Sequence, residues 1–277
     1  MGLASNKGKF WGRIEVWVFL AVMAFCVVSK HQAVVEGLGT NKMIDPWGDG
    51  LKTYTNAIYH IEHDSTYHWY QGMNYPYGEH IIPATELAGI AIAGKFLKQW
   101  FPNISDYIVS IMHAEMLLAL LLCGLFLFLI FKDLGLPFAW SLVLAILLSF
   151  LSPLNARMHS HYGLAQPFII PALFYFILQF HKDSRWIWSI AIALTIFISA
   201  FLHFYFFAIG VFFISGYFFF RVANEWSWQH LKAILPHYSL MVLLPLLFFL
   251  FWMILPDPVN VSAIPVISSS VKSMRSE

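Results

Sequence analysis

Asp49 lies in the run Asp45-Pro46-Trp47-Gly48-Asp49-Gly50-Leu51-Lys52, with a glycine on either side. Glycine lets the backbone turn sharply and lets a substrate approach closely, so a carboxylate placed there can act as a general base. The same residue type suits a helix N-cap, whose side chain accepts backbone N–H bonds from the helix that follows, and both roles can hold together. A second group, Asn155-Ala156-Arg157-Met158-His159-Ser160-His161-Tyr162-Gly163, gathers one guanidinium and two imidazoles. Arg grips phosphate in a bidentate way and His donates hydrogen bonds or a proton, so these groups suit a phosphate. The plainer alternative has Arg157 snorkelling toward headgroups and His159 and His161 solvated. A metal reading of the two imidazoles lacks identifiable third and fourth ligands, and the residues imply no metal or other cofactor. Glu115, beside His113, falls in an apolar run where an ionisable side chain is costly and marks a functional candidate, unless both are simply interfacial. His203 interrupts another apolar run, either pointing into an outer cavity or satisfying backbone carbonyls loosened there.

The elements that position these residues are membrane helices. The sequence is 59% hydrophobic and 11% charged over 277 residues, against a charged share of about 25% in soluble domains. A net charge of +1 and the lack of a dense basic stretch exclude a nucleic-acid binder. Cys26 and Cys123 both sit in apolar runs and read as small packing residues. Runs long enough for about 30 Å of hydrocarbon lie near residues 15–34, 107–131, 137–151, 164–180 and 234–255. Residues 186–222 are too long for one crossing at 1.5 Å per residue and split near His203. The fold expected is all-α, a polytopic bundle of seven spans over residues 1–256, with a polar, disordered tail over 257–277. Lys7, Lys9 and Arg13 precede an uncleaved first span. With the N-terminus cytoplasmic, Lys132, Lys182, Arg185, Arg221 and Lys232 also fall inside, as the positive-inside rule requires.

A long outer loop, about residues 36–105, then separates the first two spans. Within it Leu51, Tyr54, Ile58 and Ile61 form an apolar stripe opposite Lys52, Asn56, Tyr59 and Glu62, which predicts an amphipathic helix on the outer surface. Leu87, Ile90, Gly94 and Leu97 predict a second, interrupted by Glu86, Lys95 and Lys98 too often for a crossing. Between them the aromatic run from Tyr67 to Glu79 is broken by Gly72, Pro76 and Gly78, which predicts no regular structure and a segment able to fold over a ligand.

This arrangement, with Gly48-Asp49-Gly50-Leu51-Lys52 followed by Met73-Asn74-Tyr75-Pro76-Tyr77-Gly78-Glu79-His80, resembles the start of bacterial membrane glycosyltransferases of the C type, including protein-mannosyltransferase-like and arabinosyltransferase-like enzymes. The resemblance covers about the first two hundred residues. It implies a helical bundle with its site at the outer face, a polyprenyl-phosphate sugar donor, and a glycan, lipid or protein acceptor. It implies a catalytic Asp in the first loop, which Asp49 matches best and Asp45 second. Lys52, Tyr75, Glu79, Arg157, His159, His161 and His203 are then the substrate-binding candidates. Members usually have more spans and a soluble outer domain, so the chain reads as a shortened member. The rival expectations are a polytopic transporter or lipid flippase, or a non-catalytic membrane protein. Transporters place polar, broken helices at the midplane, whereas here the polar groups gather at the outer ends of spans.

Overall fold

The computed structural model describes residues 2–44 and 48–254, with side chains from residue 12 onward. The alternative base Asp45 and the tail at 257–277 lie outside the described residues. In order, the elements are α1 (Gly2–Lys30), α2 (Gln32–Gly37), α3 (Gly48–His63), β1 (Trp69–Tyr70), β2 (Glu79–His80), α4 (Ile81–Ala84) and α5 (Ala88–Leu97). There follow α6 (Ile108–Asp133), α7 (Phe138–Leu151), α8 (Pro153–Ala156), α9 (Ile169–Asp183), α10 (Trp186–Leu202), α11 (Phe204–Asn224), α12 (Trp228–Tyr238) and α13 (Leu244–Ile254).

The protein is a helical membrane protein. Among the described residues, four helical stretches are long and apolar enough to cross a bilayer: Gly12–Lys30, Ile104–Asp133, Phe204–Asn224 and Trp228–Ile254. A fifth arises if α7 and the segment Pro153–His159, bent by 48°, form one crossing. The other helices expected to cross are short. α9 has 15 residues and α10 has 17, about 22 and 26 Å at 1.5 Å per residue, below the roughly 30 Å of hydrocarbon.

The break expected near His203 is present. His203 is extended, at φ −162° and ψ 123°, and its Nδ1 accepts from Tyr205 N at 3.3 Å, so the residue ends α10 and caps α11. α9, α10 and α11 therefore run as a zigzag. At one end Arg221 donates to Ser184 Oγ at 3.3 Å, and at the other Leu87 N donates to Leu202 O at 3.0 Å. The Arg221 end also holds the Lys132–Glu15 pair at 3.0 Å and the Lys182–Asp133 pair.

Between α1 and α6, α3 and α5 pack against each other and against α6 rather than standing apart. The inward face of α3 is more polar than the sequence suggests. Asn56, expected on the outward face, is buried together with Thr53 and His60. The reason is pairing: Asn56 Nδ2 donates to Ala84 O at 3.0 Å and its Oδ1 accepts from Tyr70 at 2.8 Å. The aromatic run is not irregular throughout either. Trp69 pairs with His80 and Tyr70 with Glu79 in a short antiparallel ladder. Gly72 and Gly78 fall between the strands, the latter at φ +73°, so they shape the turn and leave its two ends free to pair.

Candidate functional site

Three segments converge where the long loop meets the bundle. The first is the start of α3, whose first residue, Gly48, has φ +58°. Asp49 is the second residue of α3, and its side chain reaches to 3.2 Å from His161 Nδ1. A carboxylate in the first turn still gains from the helix dipole. The second segment is the junction of α4 and α5. Leu87 is fully buried and left-handed, at φ 53°, and its amide bonds Leu202 O, which anchors this turn on the break between α10 and α11. The neighbouring Glu86 then extends one carboxylate oxygen to accept from Gly163 N at 2.9 Å and the other to 3.7 Å from His161 Nδ1. The third is the turn at 160–165, which carries His161 and Gly163. A side-chain carbon at Gly163 would stand 2.8 Å from His203 Cδ2, 2.9 Å from Glu86 Cβ and 3.0 Å from Leu202 O. Glycine at 163 lets this turn close on Glu86 and on the break between α10 and α11.

These contacts frame a polar cleft of about 200 Å³ lined by Asp49, Lys52, Thr53, Thr85, Glu86 and His203, among others. A water occupies about 30 Å³ of liquid, so the space suits one ring-sized polar group rather than a whole lipid. Burial pushes the Glu86 carboxyl above its usual range, with the nearby Asp49 charge adding to the effect, while the Gly163 amide and His161 pull the other way. Asp49 is 57% exposed and open to an incoming group. One imidazole thus stands between an exposed carboxylate and a sheltered one, an arrangement able to pass or hold a proton.

Of the residues singled out in the sequence, Asp49, Lys52, His161 and His203 come together here. Arg157 and His159 do not line the cleft; they are exposed on a short 3-10 turn, and His159 lies near His31 instead. Tyr75 is 92% exposed at the tip of the β turn, and Glu79 accepts from Asn74 Nδ2 at 2.8 Å. Glu115 and His113 serve below the cleft: Glu115 accepts from Gln166 Nε2 at 2.8 Å, and His113 Nε2 lies 2.7 Å from Tyr54 OH. Both pairs tie α6 to the segments that carry the cleft. Among the described residues no group of three or more His, Cys, Asp or Glu is placed to hold a metal.

Sequence reasoning missed the role of Glu86, taking it only as an interruption of an apolar stripe. A lone carboxylate between Thr85 and the apolar Leu87-Ala88 is a detectable signal, since such a group needs a partner.

Residues 18–261 match the family described as a domain of unknown function, DUF6311. The chain belongs to that family. No curated protein and no solved structure matches it. The DUF6311 match takes in every segment that builds the cleft, from α3 to the break at His203.

Proposed function

We propose that this protein is a membrane glycosyltransferase that moves a sugar from a polyprenyl-phosphate donor to a glycan, lipid or protein acceptor at the outer face of a bacterial inner membrane. The observation that carries the reading is the exposed Asp49 carboxylate at a polar cleft, 3.2 Å from His161 and beside Lys52 and His203. In the reaction the acceptor oxygen attacks the anomeric carbon and its proton passes to Asp49. The bond from that carbon to the phosphate oxygen breaks, its electron pair leaves on the lipid phosphate, and the carbon is inverted. His161 orients Asp49. Lys52 and His203 supply the cation and hydrogen-bond donor that the leaving phosphate needs. Arg157 and His159 take no part.

The topology that goes with this reading has seven crossings, a cytoplasmic N-terminus, and α3 and α5 along the outer interface. Short as it is, α10 connects the end where Arg221 meets Ser184 to the end where Leu202 meets Leu87, so it crosses if its neighbours do. Lys132, Lys182, Arg185 and Arg221 gather at the former end, as a cytoplasmic face requires.

The test is transfer from a labelled polyprenyl-phosphate sugar in membranes carrying the protein or Asp49→Asn. Asn keeps the shape and loses the basicity, so turnover is expected to fall about a hundredfold or more at equal expression. Wild-type turnover in Asp49→Asn would remove Asp49 as the base, and absence of transfer by the wild type from every such donor would end the reading.

A further inference from the structure

At the basic end of the bundle, far from the cleft, a groove of about 580 Å³ runs between α9 and α11. Its walls are apolar, built by Phe174, Ile177, Phe213 and Phe220, and its floor includes Gly216. A glycine inside a helix costs up to about 1 kcal/mol relative to alanine, and Gly216 is not there to admit a protein neighbour, because a side-chain carbon added to it meets no atom within 4 Å. What the missing side chain provides is depth in the groove.

The groove has a polar head. Arg221, in the last turn of α11, donates to Tyr217 OH at 3.0 Å and lies over the Phe180 ring at 5.4 Å. His181 Nδ1 stands 3.2 Å from the same hydroxyl. A guanidinium has five donors in a planar fork, and those bonded to Tyr217 and Ser184 leave others for a ligand. Glu225, the acidic residue of the lining, lies 3.4 Å from His230 Nδ1. From Phe212 to Arg221 the groove follows α11 for about 13 Å at 1.5 Å per residue, most of the roughly 15 Å of hydrocarbon in one leaflet.

We propose that this groove holds an anionic phospholipid, its phosphate against Arg221 and His181 and the upper part of one acyl chain along Gly216 between the phenylalanines. A cation at the end of an apolar trough between membrane helices matches a lipid whose headgroup carries net negative charge. Lys182 and Arg185 belong to the same end of the bundle, but they are paired with Asp133 and Asp183, so Arg221 and His181 carry the recognition. The site does not depend on any chemistry at Asp49.

The test is native mass spectrometry of the full chain in dodecyl maltoside, titrated with phosphatidylglycerol or with phosphatidylcholine of the same chains. Phosphatidylglycerol is expected to be retained in preference. Arg221→Gln should lower its retention about tenfold, the scale of a lost charge-assisted hydrogen bond. Gly216→Leu fills the groove from a position with free space around it, so it should fold and retain neither lipid; it also keeps the test decisive if Arg221→Gln fails to fold. Equal retention of the two lipids by the wild type, or unchanged phosphatidylglycerol retention in Gly216→Leu, would overturn the proposal.

Discussion

Replacing Gly163 with alanine tests how the 160–165 turn meets the α4–α5 turn and the His203 break, without assuming any reaction. The added carbon would stand 2.8 Å from His203 Cδ2 and 2.9 Å from Glu86 Cβ, where carbon pairs prefer about 3.5–4.0 Å. Relief needs a displacement of roughly 0.6 Å or more on two sides at once. On the third side stands a backbone carbonyl, Leu202 O at 3.0 Å, already held by the Leu87 amide. His203 cannot swing away freely, because its Nδ1 caps α11. Overpacking of this kind costs about 1–3 kcal/mol, which for a chain of this size lowers the thermal midpoint by about 2–10 °C. Moving apart also breaks the bond from Gly163 N to Glu86, so the cleft should open and any transfer activity should fall with stability. The control is Gly12→Ala in α1, where nothing lies within 4 Å of the new carbon and the helix gains up to about 1 kcal/mol. Thermal midpoints of the purified proteins in detergent decide the matter. A Gly163→Ala midpoint at or above that of Gly12→Ala would show that the α4–α5 turn, the 160–165 turn and the His203 break do not meet as described.

Three further outcomes are expected. Because burial raises the Glu86 carboxyl above its usual range, the folded chain keeps a proton that the unfolded chain releases near pH 4.3, to within about a unit. That advantage is complete below the ordinary value and is lost as pH rises through the raised one, so Glu86→Gln should flatten the decline of thermal midpoint as pH rises above the ordinary carboxyl range; an unaltered slope would assign the decline to other groups. Tyr54→Phe removes the hydroxyl that lies 2.7 Å from the buried His113 Nε2 and should cost about 1–3 kcal/mol in unfolding free energy, with no change in midpoint refuting the pairing. Arg157→Gln alters an exposed residue outside the cleft, so transfer activity should change by no more than about twofold, and a hundredfold loss would return Arg157 to the site.

Helix type and the break at His203 were legible because they depend on local rules: run length, periodicity and the limit on how far one helix can cross. Helices do cover residues 48–63 and 88–97, where the two apolar stripes predict them. What a stripe does not encode is which polar residues will be buried with it. Asn56 reads as outward by spacing alone, yet Tyr70 and Ala84, brought in by the hairpin and α4, give its amide both a donor and an acceptor and draw it inside. The short β ladder was hidden for a related reason. Its two pairs use residues on either side of a Gly- and Pro-containing turn, and two residues per strand are too few to show an alternating pattern.

The cleft shows where residue-type reasoning succeeds and where geometry must take over. Arg157, His159 and His161 read as one cluster because they alternate along four bonds of chain, but the backbone does not keep them on one side. Arg157 to His159 form a 3-10 turn, and Ser160 at φ −151° and ψ −31° redirects the chain before His161. In a helix of three residues per turn, positions two apart point about 240° around the axis from each other, so His159 is carried toward His31 while His161 arrives between Asp49 and Glu86. Glu86, separated from Asp49 by the whole hairpin, joins them only because Leu87 anchors its turn to Leu202. Proximity in sequence therefore grouped partners that the fold separates, and the groups that share the cleft come from four separate segments.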